Sequence, residues 1–276
     1  MNILLPVSSG PSFKDAVSLA IDVAKEHEGE VRVVYVIDER EIRRIESGGG
    51  VGAIHMAQRA AEEYGKKKME EATGILLDTI QACGQGGVQA YGEIREGEPG
   101  KELLAVAGGC DLVVAAIASQ FEPGLEDKPG QVVLSMMKDG GIPVLLACSP
   151  YRPVRTVVVG CGGKIKTERV AGAMTKMSLW KSGRRLILLA VDDSPEEGRL
   201  RFAASRNLLG EAGYPPWEEH VVPGRRLEAF SAFCEKEGAD LVVLGGWGEH
   251  RWDDLMGLSV TGRLVEEGRR NLFLYM

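Results

Sequence analysis

Gly245, Gly246 and Gly248 fall within four residues, directly after the apolar run Leu241–Leu244 that Asp240 introduces. Glycines at the mouth of a strand let backbone N–H groups approach an anion. A helix that follows adds its positive N-terminal end, so the chemistry of such a stretch is phosphate binding. A tight turn on a buried sheet would use the same residues. A second copy separates the two readings: Gly109-Cys110-Asp111-Leu112-Val113-Val114 matches Gly238-Ala239-Asp240-Leu241-Val242-Val243 at an offset of 129 (240 minus 111). That copy runs on into Ala115, Ala116, Ile117 and Ala118, where glycines would stand. One half keeps the loop and the other has lost it.

Other chemistry is weaker. Gly48-Gly49-Gly50-Val51-Gly52 follows no visible strand and precedes no Lys-Ser/Thr pair, which reads as a surface loop rather than a phosphate cradle. Gly100-Lys101 and Gly163-Lys164 fail as P-loops, because Arg95 and Val158 occupy the leading glycine's place. Cys161 lies in a glycine-rich turn near a helix start, but no histidine neighbours it in sequence, so a small buried thiol is expected. His27, His55, His220 and His250 show no ligand spacing, and no metal site is inferred. Trp247 and Trp252 flank the glycine loop and suit either base stacking or packing on their own domain.

These residues must be held by a frame, and composition bounds it. A chain of 276 residues with 44% hydrophobic and 26% charged residues is that of a soluble globular protein with room for two cores. A net charge of -7 argues against nucleic acid as a partner. Five scattered cysteines without a CxxC pair read as free thiols of a reducing cytoplasm. No secretory signal is visible, and no apolar run approaches the about 18 residues of a membrane helix. A cytoplasmic protein with no membrane association is expected.

Strands and helices alternate. Ile3–Val7, Val31–Ile37, Val88–Ile94, Leu112–Ile117 and Ile142–Ala147 read as strands. Between them, Ser12 with Asp15 makes a capping-box start, and Val17, Ala20, Ile21 and Ala24 fall on one helical face. Residues 39–56 read as irregular, 57–82 as a long helix and 98–107 as another. The second half repeats the plan: strands at Thr156–Val159, Leu186–Val191, His220–Val222, Leu241–Leu244 and Leu272–Tyr275, with helices opened by Thr167 and Leu227. Early strands repeat at an offset of 153 (156 minus 3) and the fourth at 129, so the first half carries the extra chain. Ser149–Pro153 reads as the linker between domains 1–148 and 154–276. The expected fold class is α/β: two tandem doubly wound domains, each a five-stranded, mostly parallel sheet flanked by helices.

Arranged so, the chain resembles the universal stress proteins in their two-domain form, over essentially its whole length. Val7-Ser8-Ser9-Gly10 and Gly160-Cys161-Gly162-Gly163 stand where that family has Val-Asp-Gly-Ser, and Gly97-Glu98-Pro99 approximates its turn after the third strand. The family's nucleotide motif is Gly, two residues, Gly, nine residues, Gly-Ser. Gly245 and Gly248 fit its start, and Gly257-Leu258-Ser259-Val260 its end, with the second glycine one position early. The first half has Ala116 and Ser119 in place of the glycine pair, with Gly130-Gln131-Val132 similar to the tail.

The resemblance implies an adenine nucleotide, ATP or a relative, as ligand, in a fold like that of the adenine nucleotide alpha hydrolases. Carried over residue by residue, Gly245, Gly246, Gly248, Gly257, Ser259 and Val260 would surround the phosphates, and Val191 would offer main-chain bonds to adenine. Cys161, like Ser8 in the first half, occupies the place of the family's aspartate, and a thiol replaces a carboxylate poorly. Nothing in the residues specifies Mg²⁺. Three classes follow: a nucleotide-binding stress-response or regulatory protein, a degenerate member acting as an interaction or scaffold protein, and a slow ATP hydrolase. The third is disfavoured because no general base or metal cluster is visible. Ile142–Ala147 and Leu272–Tyr275 would otherwise be exposed apolar edges, so they are expected to pair within the chain. Pairing of whole chains into a homodimer is compatible with this and not required.

Overall fold

The computed structural model describes residues 1–47, 54–119, 131–162, 164–245 and 260–276. The chain divides into two compact units: Met1–Ala115 with Ser119–Gly140, and Ala116–Ala118 with Gly141–Met276.

The first unit runs β1 (Asn2–Pro6), α1 (Phe13–Glu26), β2 (Glu30–Asp38), α2 (Glu39–Ser47), α3 (Ile54–Gln85), β3 (Gln89–Gly97), α4 (Pro99–Ala107), β4 (Leu112–Ala116) and α5 (Gln131–Gly140). Its strands lie in the order β3-β2-β1-β4, all parallel. Ile3, Leu4 and Leu5 of β1 and Leu112, Val113 and Val114 of β4 are fully buried, as a sheet covered on both faces requires. On α1, Ala16, Val17, Ala20, Val23 and Ala24 form the buried stripe. Ser12 takes the N-cap position there, but its side chain makes no capping hydrogen bond, because its backbone is already helical (φ -71, ψ -10).

Residues 39–47, expected to be irregular, form α2. No residue of α2 is buried, and only Ile42 and Ile45 mark its inner face, a signal two residues long. It is held by the i,i+4 pair Arg43–Glu39 at 2.6 Å and by α3, whose Tyr64 hydroxyl donates to Glu41.

The second unit contains β5 (Val144–Ala147), β6 (Thr156–Gly160), α6 (Lys164–Lys176), β7 (Arg185–Val191), α7 (Pro195–Leu200), α8 (Ala203–Glu211), β8 (Glu218–Val222), α9 (Arg226–Lys236), β9 (Leu241–Gly245), α10 (Val260–Glu267) and β10 (Asn271–Tyr275). The strand order is β5-β10-β9-β6-β7-β8. All neighbours are parallel except β5 and β10, which pair antiparallel with Phe273 opposite Leu145. This pairing is the one expected of the two apolar fifth strands. It also draws β5 into the second unit, so the division falls before Gly141 rather than after Cys148. Asn271, fully buried, ties the linker down: its Oδ1 accepts from Cys148 N–H and its Nδ2 donates to Arg152 O, each at 3.0 Å.

The repeated Gly-x-Asp-Leu-Val-Val stretches do the same structural work. Asp111 Oδ2 accepts from Asn2 N–H at 2.8 Å, and Asp240 Oδ2 accepts from Thr156 N–H at 3.0 Å and Arg155 N–H at 3.1 Å. Asp111, just before β4, thus anchors the start of β1, and Asp240, just before β9, the start of β6.

Candidate functional site

In the second unit β6 is followed by α6 and β7 on one side, while β9 is followed by α10 and β10 on the other. The switch point therefore lies between β6 and β9, and ligands of such sheets lie outside the C-terminal ends of the strands there. The register puts Gly160 beside Leu244, so Cys161 and Gly245 come next along that C-terminal edge. Val191 closes β7 one strand away. Because β9 and β10 are parallel, α10 between them runs back, and its first residue, Val260, lies toward the same edge. Four of the expected site residues, Cys161, Val191, Gly245 and Val260, thus converge. Gly246, Gly248, Gly257 and Ser259, with Trp247 and Trp252, lie outside the described residues.

Cys161 is 1% exposed. Its N–H donates to Leu189 O at 2.8 Å, and its Sγ lies 3.6 Å from Ser205 Oγ. Burial pushes the thiol up to about 12, so at neutral pH it is a neutral wall atom, neither a nucleophile nor a stand-in for a carboxylate. Gly160 before it lies where a Cβ would meet Leu244 Cδ2 at 2.6 Å and Phe230 at 3.1 Å. A side chain there would require Leu244 and Phe230 to shift.

An arginine that sequence reasoning missed spans this edge. Arg201 donates from Nη1 to Gly162 O at 2.9 Å and from Nη2 to the Asp192 carboxylate. The Ser194 N–H, donating at 3.0 Å, and the Arg201 guanidinium together hold the Asp192 carboxyl below its usual range. The arginine is carried by the turn between α7 and α8. Ser194 caps α7 by accepting from Glu197 N–H at 3.3 Å, and Gly198 presses on β8, where a Cβ would lie 2.3 Å from Val221. Ser194-Pro195-Glu196-Glu197 was a readable helix start; nothing local said that Arg201 would reach back to Gly162.

The corresponding edge of the first unit holds a cleft of about 110 Å³, bordered by Ser8, Tyr35, Asp38, Glu41, Lys68 and Glu71 among others. Ser8, in the place equivalent to Cys161, is 7% exposed, and its Oγ has no hydrogen-bond partner. Lys68 pairs with Glu71 at 3.0 Å, and Arg40 holds both oxygens of Asp38, at 3.0 and 2.9 Å. Among the described residues no group of three or more His, Cys, Asp or Glu is placed to hold a metal ion, and no helix is long and apolar enough to cross a membrane.

Mostly parallel strands flanked by helices, with a switch point at the C-terminal edge, define the doubly wound class of α/β proteins, whose sites lie at such edges. Residues 1–120, a stretch within the first unit and its exit, match the universal stress protein family. Its fold is similar to a universal stress protein from Archaeoglobus fulgidus DSM 4304, with TM-score 0.74 and 17% identity over 99% of this chain and 95% of that one. It is also similar to a putative universal stress protein from Pseudomonas aeruginosa UCBPP-PA14, with TM-score 0.62 and 13% identity over 99% of this chain and 92% of that one. A partial match, with TM-score 0.39 and 20% identity over 45% of this chain and 98% of that one, is to a universal stress protein in complex with cAMP. No curated protein matches the chain.

Proposed function

We propose that this chain is a stress-response or regulatory protein that binds one adenine nucleotide, ATP or a close relative, at the C-terminal edge of the second unit's sheet. The observation that carries the reading is that the described residues flanking the glycine motif, Gly245 at the end of β9 and Val260 at the start of α10, both lie toward one edge. Gly245 closes β9 beside the Cys161 turn, and α10 begins at Val260, directly after Gly257-Leu258-Ser259. Backbone N–H groups of Gly245, Gly246 and Gly248, the Ser259 hydroxyl and the start of α10 would hold the phosphates. Val191 would offer its main chain to the base. The reading is one of binding, not turnover: Cys161 is neutral and the motif itself supplies no general base. Cytoplasmic placement, and pairing of whole chains, belong to the same reading as expectations.

Calorimetric titration with ATP tests it. One site per chain, lost on Gly248→Val, is expected, since a side chain there would hold the phosphates off the backbone. Two equivalent sites, or retention of binding in the variant, would count against it.

A second reading, a member that binds no nucleotide and works through its surfaces, is favoured by one observation. Arg201 already bonds both Gly162 O and Asp192 across the base side of the edge. Absence of saturable ATP binding in both the wild type and Arg201→Ala would favour it.

A further inference from the structure

We propose that the first unit binds a second copy of this chain along β3. The two copies join β3 to β3 in an antiparallel ladder, with their α3 helices side by side. This surface is independent of the nucleotide reading, which concerns the other unit, and it gives the expected pairing of whole chains a definite face.

Three observations lead there. First, β3 ends the strand order and pairs with β2 over all of its nine residues. Among the described residues, the hydrogen-bonding groups on its outer edge meet no strand. A regular strand with such an edge is a template for another. Second, α3 carries more apolar surface than the sheet covers. A Cβ on Gly92 would lie 3.1 Å from Ile80 Cδ1 and 3.2 Å from Leu76 Cδ1, so α3 lies over the face of β3 that carries Gly92 and Ile94. Met69, Thr73, Leu77 and Ile80, at i, i+4, i+8 and i+11, run beside the buried Ala72, Leu76 and Cys83 on the side of the edge strand. Met69 is 38% exposed and Leu77 62%. Third, Glu93 and Arg95 lie on the opposite face of β3 and are held in place within the chain. Arg32 donates to Glu93 at 2.9 Å, and Arg95 to Glu93 at 2.8 Å and to Glu102 at 3.0 Å.

Charge selects both the occupant and the register. An acidic strand would meet Glu93 unfavourably, and a basic one Arg95. A strand with both signs in reversed order fits, and β3 itself, turned about a twofold axis, is such a strand. An axis through Ile94 sets Glu93 opposite Arg95 of the second copy, and Arg95 opposite its Glu93. Ile94 then faces its own copy on the α3 side. Moving the axis to Glu93 or Arg95 would set that charge opposite itself. Because α3 joins two parallel strands, it runs antiparallel to β3, and the same axis lays the two helices antiparallel, stripe against stripe. The ladder and the burial of Leu77 and Met69 supply the affinity. The charges, already paired within each copy, fix the register.

Sedimentation of the full chain over roughly 1–100 µM tests this, and a concentration-dependent monomer–dimer equilibrium is expected. Leu77→Glu alters a side chain that is exposed in the single chain, and should raise the dimer's dissociation constant at least about 10-fold. Arg95→Glu and Glu93→Arg should each weaken self-association, because each variant opposes like charges. An equimolar mixture of those two should restore a dimer, of mixed composition, a rescue that no folding defect produces. Thermal melting shows that each variant folds. The proposal is overturned by a monomer throughout that range, or by a dimer that folded Leu77→Glu or the folded charge variants leave unweakened. It is overturned equally by folded charge variants whose mixture stays monomeric.

Discussion

The Arg201 guanidinium pairs with the Asp192 carboxylate at the end of β7 while its other Nη holds Gly162 O at 2.9 Å, so one side chain ties the turn after β6 to the end of β7. If nucleotide enters this edge, the arginine must either move aside or share its bonds. Arg201→Ala is therefore expected to raise ATP affinity several-fold, read by calorimetry against wild type. Unchanged or weakened affinity would instead make Arg201 a bystander or a ligand group.

The Cys161 thiol is expected to resist alkylation. Burial pushes Cys161 and Cys234 each up to about 12; it raises Cys110 as well, but Cys110 is only half-buried. Iodoacetamide at pH 8 followed by peptide mass mapping should label Cys110 first and leave Cys161 and Cys234 until the chain is denatured. Early labelling of Cys161 would contradict its place in the wall.

Gly160→Ala should destabilise the second unit by ~1–3 kcal/mol, the usual range for overpacking. Its Cβ would lie 2.6 Å from Leu244 Cδ2, the residue opposite it in β9. The thermal midpoint checks this. A neutral result would mean that Leu244 and Phe230 can retreat together.

Asn271→Ala removes the partners of Cys148 N–H and Arg152 O at a fully buried position. A cost of ~2–4 kcal/mol in denaturant unfolding is expected, from two lost hydrogen bonds and a buried donor left unsatisfied. A change below ~1 kcal/mol would show that water replaces the asparagine.

Acid should loosen the β7–β8 edge. Arg185 chiefly holds Glu218 down from its ordinary 4.5 to about 2, through contacts of 2.7 Å. A depressed carboxyl contributes stability that is complete above the unfolded value, near 4.5, and lost as pH falls toward 2. Exposure and screening keep the effect within ~1 kcal/mol. Arg185→Met should flatten the stability profile over that window, and an identical acid limb in the variant would assign the loss elsewhere.

Much of the plan was present in the sequence. The repeated Gly-x-Asp-Leu-Val-Val stretches, the β-branched runs and the glycine stops determined two strand-helix alternations, because strand periodicity and turn chemistry are local properties. The family resemblance, with the apolar character of 142–147 and 272–275, likewise led to the expectation that these two strands would pair. What the sequence could not carry is who touches whom across tens of residues. It marked Cys161 as a small thiol, but only tertiary burial decides its neutrality, outweighing the Ser205 hydroxyl 44 residues on, whose hydrogen bond pulls the other way. It put the surviving motif in the second half, while the tertiary structure set Arg201 across that half's edge and left the unpaired Ser8 hydroxyl beside a cleft in the first. α2 escaped notice because only Ile42 and Ile45 mark its inner face, too short a period to read against the glycines that follow. Local pattern selects the elements. Charge pairing and cavity shape arise only when separate elements meet.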